Sequence, residues 1–148
     1  MSATLTLANG QKIILNDAAN GELAKEAGVK ISKTANGEII YEVVGNQQAG
    51  GAGNVMYTRN TLSTANGETY MIMLPDKSKV WLNAASSLTY ASNFSATKER
   101  SVELTGEGYF EIAAVHAQNG QRVPFLVKTA TQQVEVLGTH FSINSYAD

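Results

Sequence analysis

From Val102 to Ile112 polar and non-polar positions alternate without a break. Val102, Leu104, Gly106, Gly108, Phe110 and Ile112 take the even positions, and Glu103, Thr105, Glu107, Tyr109 and Glu111 the odd ones. A period of two is the pattern of a half-buried strand, whose side chains point alternately to its two faces. One long strand is predicted here, glutamates outward and glycines on the buried face. A glycine on that face marks a bulge, a corner or the close approach of something bulky, and Trp81, the only tryptophan, is the candidate for that bulk.

Shorter segments of the same character lie between turns. "TLTLANGQKIILN" sets Asn9-Gly10 between Leu5/Leu7 and Ile13 to Leu15, and Asn-Gly is the strongest short hairpin signal because both residues tolerate positive φ. Ala-Asn-Gly recurs at Ala19 to Gly21, Ala35 to Gly37 and Ala65 to Gly67. The third triplet is bracketed by "VKISKT" and "EIIYEVV" and the fourth by "NTLST" and "ETYMIML", all strand-like. Four such turns predict a hairpin-rich fold. Only "ELAKEAG", Glu22 to Gly28, reads as helical, over a turn or two. The expected fold class is all-β: antiparallel hairpins in a two-sheet stack or a β-solenoid-like arrangement, with at most one short helix.

A weak repeat appears at an offset of 67 residues, where "LANGQKIILNDAAN" from Leu7 lies over "LPDKSKVWLNAASS" from Leu74. Either a hairpin unit is duplicated, or turn-strand-turn segments simply look alike. Between the copies "GNQQAGGAGN", Gly45 to Asn54, lacks the lysine a phosphate loop needs after its last glycine and reads as a flexible connection. The chain of 148 residues fits an N-terminal hairpin region, 1–54, followed by a β core, 55–148, or one continuous domain, 1–148.

Charged residues make up 16% and the formal net charge is -2, so there is no basic field to draw nucleic acid or anionic lipid, and no nucleic-acid partner is expected. The absence of cysteine excludes disulfides, thiolate zinc sites and thiol nucleophiles, and fits a reducing or an oxidising compartment. No apolar run approaches the roughly 18 residues of a membrane helix, and the N-terminus has no signal-peptide pattern.

Candidate chemistry is sparse. "GEGYFE" fails as a dinucleotide loop, because Glu111 stands where the third glycine belongs. Glu103, Glu107 and Glu111 share a strand face, but residues four apart on a strand are separated by about 13 Å, whereas hydrolytic carboxylate pairs sit about 5 to 9.5 Å apart. They read as a solvated row facing Lys98, Arg100, Arg122 or Lys128. His116, in a hairpin loop closed by Asn119-Gly120, and His140 have no metal-site spacing between them. No G-x-S-x-G elbow is present. Tyr41, Tyr70, Tyr90 and Tyr109 read as packing residues, though exposed coplanar aromatics would signal a carbohydrate-binding module, and a concave polar pocket a hydrolase.

Three segments carry a family resemblance: "LPDKSKVWLNAASSLTYASNF", "KERSVELTGEGYFEI" and "PFLVKTATQQVEVLGTHFSINSY". In order and at family spacing they resemble the signature of FecR-family anti-sigma factors of the Bacteroidota type, from about Leu74 to Asp148, and the N-terminal region is similar to what precedes that core. Three residues depart from the family pattern: Lys77 stands where a turn glycine is usual, Ala91 where a proline is usual, and Ala96 where a glycine is usual.

The resemblance implies a non-enzymatic relay. In such proteins a cytoplasmic segment holds an extracytoplasmic-function sigma factor, one helix crosses the inner membrane, and the β domain lies on its periplasmic face. A further C-terminal domain receives the signal from the signalling domain of a TonB-dependent outer-membrane transporter. This chain then corresponds to the periplasmic piece alone, its sigma-factor segment, membrane helix and receiving domain lying outside it. No cofactor or metal is implied. Some members cleave themselves at a Gly-Thr bond, and "VLGTHF" offers Gly138-Thr139. There the Thr139 hydroxyl would attack the Gly138 carbonyl, the peptide C–N bond giving way to an ester that water then opens, with His140 adjacent. The other reading makes Gly138 a bulge between strands Gln133 to Leu137 and His140 to Asn144.

Overall fold

The computed structural model describes residues 3–8, 10–15, 20–26, 29–35, 38–43, 59–91, 100–116, 120–136 and 140–144. In chain order their strands are β1 (Thr4–Thr6), β2 (Lys12–Ile14), β3 (Gly21–Glu26), β4 (Val29–Lys33), β5 (Ile39–Val43), β6 (Arg59–Ser63), β7 (Tyr70–Met73), β8 (Lys79–Leu82), β9 (Ser87–Ala91), β10 (Arg100–Thr105), β11 (Glu107–Glu111), β12 (Phe125–Lys128), β13 (Gln133–Val136) and β14 (His140–Asn144). They make two seven-stranded sheets, β13-β12-β10-β9-β6-β1-β2 and β14-β11-β8-β7-β5-β4-β3. The fold is thus the all-β two-sheet stack. Neighbours pair antiparallel except β10 with β12 in the first sheet and β5 with β7 in the second, which are parallel.

The core lies between the sheets. Leu5, Leu62, Leu88 and Val102 enter it from the first sheet, and Ile72, Val80 and Phe110 from the second, all fully buried. Each is one residue of an alternating strand, which is how period-two sequence builds a two-sided core. Strands from both sides of residue 54 share both sheets: β1 pairs with β6, and β5 with β7.

Four expectations need correction. The expected helix over Glu22 to Gly28 is strand as far as Glu26, because β3 spans Gly21–Glu26 and pairs with β4, with a bulge between Glu22 and Ala24; Ala27 and Gly28 lie outside the described residues. A helix of one or two turns is too short to stand alone, and an adjacent strand offers the backbone partners it would lack. Second, the turns near Gly10 and Ala35 do close hairpins, β1-β2 and β4-β5, but those at Gly21 and Gly67 join strands of opposite sheets, β2 to β3 and β6 to β7. Positive φ at Gly10, Gly21 and Gly67 lets the chain reverse. Whether it reverses within a sheet or between sheets depends on which faces are apolar beyond the turn.

Third, Val102 to Ile112 is two strands. The burial parity holds throughout, with Val102, Leu104, Gly106, Gly108, Phe110 and Ile112 all buried, but β10 lies in the first sheet and β11 in the second. The chain turns the corner at Gly106, where φ is +93°. Glu107 and Glu111 therefore lie on the outer face of a different sheet from Glu103. Fourth, Trp81 does not lie over the glycines. A side chain at 106 would stand 2.9 Å from the Cα of Ser86, and one at 108 would meet Phe110 and Leu104.

The 67-residue repeat is a repeat of structure. The Leu7 N–H donates to Gln11 O at 2.8 Å and Gly10 N–H to Leu7 O at 2.9 Å, and Leu74 N–H to Ser78 O and Lys77 N–H to Leu74 O repeat both bonds at 2.8 and 2.9 Å. The strand registers match as well: Thr4 faces Ile14, and Met71 faces Trp81. One hairpin sits in each sheet.

Candidate interaction surface

Polar chemistry inside the molecule ties the sheets together. Tyr41 on β5 and Tyr90 on β9 are buried, their rings meet edge to face, and their hydroxyls share a hydrogen bond of 2.7 Å. Asn60 on β6 donates its amide to the Tyr41 hydroxyl at 2.9 Å and accepts the Ala8 N–H at 3.2 Å. The buried side-chain polar atoms of Tyr41, Tyr90 and Asn60 thereby each have a partner.

The second tie is ionic. Arg100, at the head of β10, meets Asp76 of the β7-β8 turn at 2.8 Å, with side chains only 2% and 5% exposed. The guanidinium also donates to the carbonyls of Ala113 (2.6 Å) and Val123 (2.8 Å), and its face lies 5.3 Å from the centre of the Phe125 ring. Asp76 accepts from the backbone and hydroxyl of Ser78, both at 2.9 Å. Arg100 therefore does not serve the outward glutamates. Glu103 instead pairs with Arg59 at 2.6 Å and stands opposite Lys128. The signal for the buried pair was present: Arg100 continues the even, inward parity two residues before Val102.

At the Gly106 corner a third cluster closes one end of the stack. The Ser86 hydroxyl accepts the Glu107 N–H at 2.9 Å, Thr64 Oγ1 accepts the Ser86 N–H at 2.9 Å, and Asn83 donates to the Glu107 carboxylate at 2.5 Å. These three clusters span loops and strands of both sheets, which is the work of positioning rather than of acid-base exchange.

The outer faces of the two sheets differ. On the first sheet Thr61 and Thr89 share a hydroxyl hydrogen bond of 2.8 Å beside the Arg59–Glu103 pair. On the second, Met71, Trp81, Tyr109 and Ser142 stand in register across four strands. Tyr109 is 43% exposed, the exception among the tyrosines expected to pack. Its ring lies 5.6 Å from that of Trp81 at 59° and 6.3 Å from His140 at 36°. His140 Nε2 is 3.7 Å from the Glu111 carboxylate. Stacking on a sugar ring needs a flat platform, and a 59° tilt does not provide one.

Gly138 and Thr139 lie outside the described residues, as do Lys98 and the 45–54 loop. Gly138 and Thr139 fall between β13 in the first sheet and β14 in the second. His116 forms an isolated antiparallel bridge with Arg122 and is exposed; Asn119 of the expected Asn119-Gly120 turn lies outside the described residues. Among the described residues no three His, Asp or Glu side chains come together as a metal site. None of their helices is long and apolar enough to cross a membrane.

Of these features the aromatic row and the adjoining edge strand β14 are outward-facing. The family described as FecR protein matches residues 60–148. Two crystal structures, each of a protein assigned as an anti-sigma factor from Parabacteroides distasonis ATCC 8503, are similar to this chain. One is 32% identical over 63% of this chain and 40% of that one; the other is 33% identical over 60% and 39%; both superpose with a TM-score of 0.51. This chain thus spans about 40% of the length of the first. No curated protein matches it.

Proposed function

This chain belongs to the FecR family, and on that premise we propose that it is the β domain of an anti-sigma factor, a non-enzymatic relay in cell-surface signalling. The observation that carries the proposal is the family match over residues 60–148, which takes in β6 to β14 and so strands of both sheets. In this reading the domain lies on the periplasmic face of the inner membrane, in a protein with one membrane helix. Its cytoplasmic segment holds an extracytoplasmic-function sigma factor, and its signal comes from the signalling domain of a TonB-dependent transporter. The buried ties between the sheets suit a relay, because a body braced by Arg100–Asp76 and Tyr41–Tyr90 moves as a unit.

Calorimetric titration with the transporter signalling domain tests it, comparing this chain with the protein that includes its C-terminal receiving domain. Saturable binding by the longer protein is expected. Absence of binding by both overturns the transporter part of the proposal. A sigma-dependent reporter that does not respond to deletion of the gene overturns the anti-sigma part.

A further inference from the structure

Met71, Trp81 and Tyr109 stand in register on β7, β8 and β11, across the outer face of the second sheet. None of the three contributes to the core between the sheets. Met71 and Trp81 are half-buried and Tyr109 is exposed. Each of their strands is paired on both sides, so the backbone beneath the row is engaged and only side chains are on offer.

That geometry narrows what the row can hold. Trp81 and Tyr109, tilted by 59° at 5.6 Å, offer two aromatic faces set at an angle, which does not suit a sugar lying flat. An added strand needs an open edge, and these strands have none. A helix lays an apolar face into a broad hydrophobic groove. Here the row is one residue wide at Trp81 and Tyr109, because Lys79 faces Glu111 on one side and Asn83 donates to Glu107 on the other. A polyproline II segment meets none of these obstacles. It has no internal hydrogen bonds, needs no partner strand and docks its pyrrolidine rings on aromatic-lined surfaces. Its bare carbonyls would find donors in the Trp81 indole N–H and the Tyr109 hydroxyl. Its length fits as well: Met71 to Tyr109 is two strand spacings, about 10 Å, and one turn of polyproline II is about 9 Å.

Charge decides what flanks the prolines. Glu107 and Glu111 lie on either side of Tyr109 along β11, and the one lysine in register with them is Lys79, opposite Glu111. Glu111 is 43% exposed. Two carboxylates against one ammonium leave the row with an acidic surplus, in line with the formal charge of -2 on the whole chain. A segment with Lys or Arg beside its prolines is the complementary partner. We propose that the Trp81–Tyr109 pair is a docking site for a proline-rich segment of another protein, held as polyproline II, with a basic residue of that segment reaching Glu111. This goes beyond the family reading and does not depend on it.

Trp81 is the only tryptophan, so its fluorescence reports on the site directly. The probe is an oligoproline of about six residues with arginine at both ends, titrated into the full chain. A saturable change in Trp81 emission is expected, with a Kd of about 1 mM or tighter. Tyr109→Ala should weaken binding at least about tenfold, a loss of about 1.4 kcal/mol, with the melting temperature unchanged because Tyr109 lies outside the core. Glu111→Lys should weaken the arginine-capped peptide at least about fivefold and leave a glutamate-capped one no weaker. No change in emission up to about 5 mM peptide, an equal response to an arginine-capped glycine-serine peptide of the same length, or binding indifferent to Tyr109→Ala would each overturn the proposal. A response to a cello-oligosaccharide in place of the peptide would make the row a sugar site, and emission that shifts with protein concentration alone would make it an interface between copies; either result also overturns it. Should Tyr109→Ala unfold the chain, the charge reversal at Glu111 decides alone.

Discussion

Arg100 and Asp76 form an ion pair of 2.8 Å that is sealed between the two sheets. Its worth lies less in Coulomb attraction, which desolvation largely offsets, than in the cost of leaving either charge alone. Asp76→Ala strands a guanidinium whose other acceptors are two backbone carbonyls, and is expected to destabilise the chain by about 3–5 kcal/mol. Replacing both by apolar residues of similar volume, Arg100→Met with Asp76→Leu, should cost markedly less than either single change. Urea unfolding of the three variants measures the difference.

Gly106 and Gly10 both have positive φ, +93° and +91°, yet only Gly106 is crowded, by Ser86. Alanine at either position incurs the left-handed strain of about 1 kcal/mol. Gly106→Ala must also push Ser86 out of its bonds to Glu107 and Thr64, so a total of about 3 kcal/mol or more is expected, against about 1 for Gly10→Ala. If the two midpoints fall together, the tight corner is not what selects glycine.

Lys77 occupies the turn position that Gly10 holds in the matching hairpin, with φ at +73°. A side chain there is strained where glycine is not. Lys77→Gly should therefore stabilise by about 0.5–1 kcal/mol, visible as a rise in melting temperature.

The Tyr70 hydroxyl is buried with no hydrogen-bond partner among the described residues. Burial, and then the Glu68 charge, raise its pKa above the ordinary 10.0. The fold thus favours the neutral phenol. Its contribution is fully present below pH 10 and is lost as pH rises through the higher folded value. Tyr70→Phe should match or exceed the wild-type stability at neutral pH, by up to about 1 kcal/mol, and should show a shallower loss above pH 10 in alkaline melts.

The bond between Gly138 and Thr139 is expected to stay intact in the purified chain, giving one full-length mass after prolonged incubation. A fragment ending at Gly138, lost again in Thr139→Ala, would make Thr139 the nucleophile instead.

What the sequence showed best was side-chain direction. The parity from Val102 to Ile112 assigned every inward residue, and it extends to Arg100. What it could not show was that one alternating run serves two sheets, because a corner at a small residue leaves the period intact. The Ala-Asn-Gly turns failed for a related reason: a turn states that the chain reverses, while its destination is decided by strands distant in sequence. The aromatic row was invisible for the same cause, since Met71, Trp81 and Tyr109 become neighbours only through strand order.

The route of the chain has a mechanical meaning. It passes from one sheet to the other after β2, returns after β5, and crosses again after β6, β8, β10, β11 and β13. Neither sheet is a continuous stretch of sequence, so neither can be stripped away while the other survives. Tension applied anywhere along this chain is shared by both layers, as in a laced seam, and the domain yields as a whole or holds as a whole.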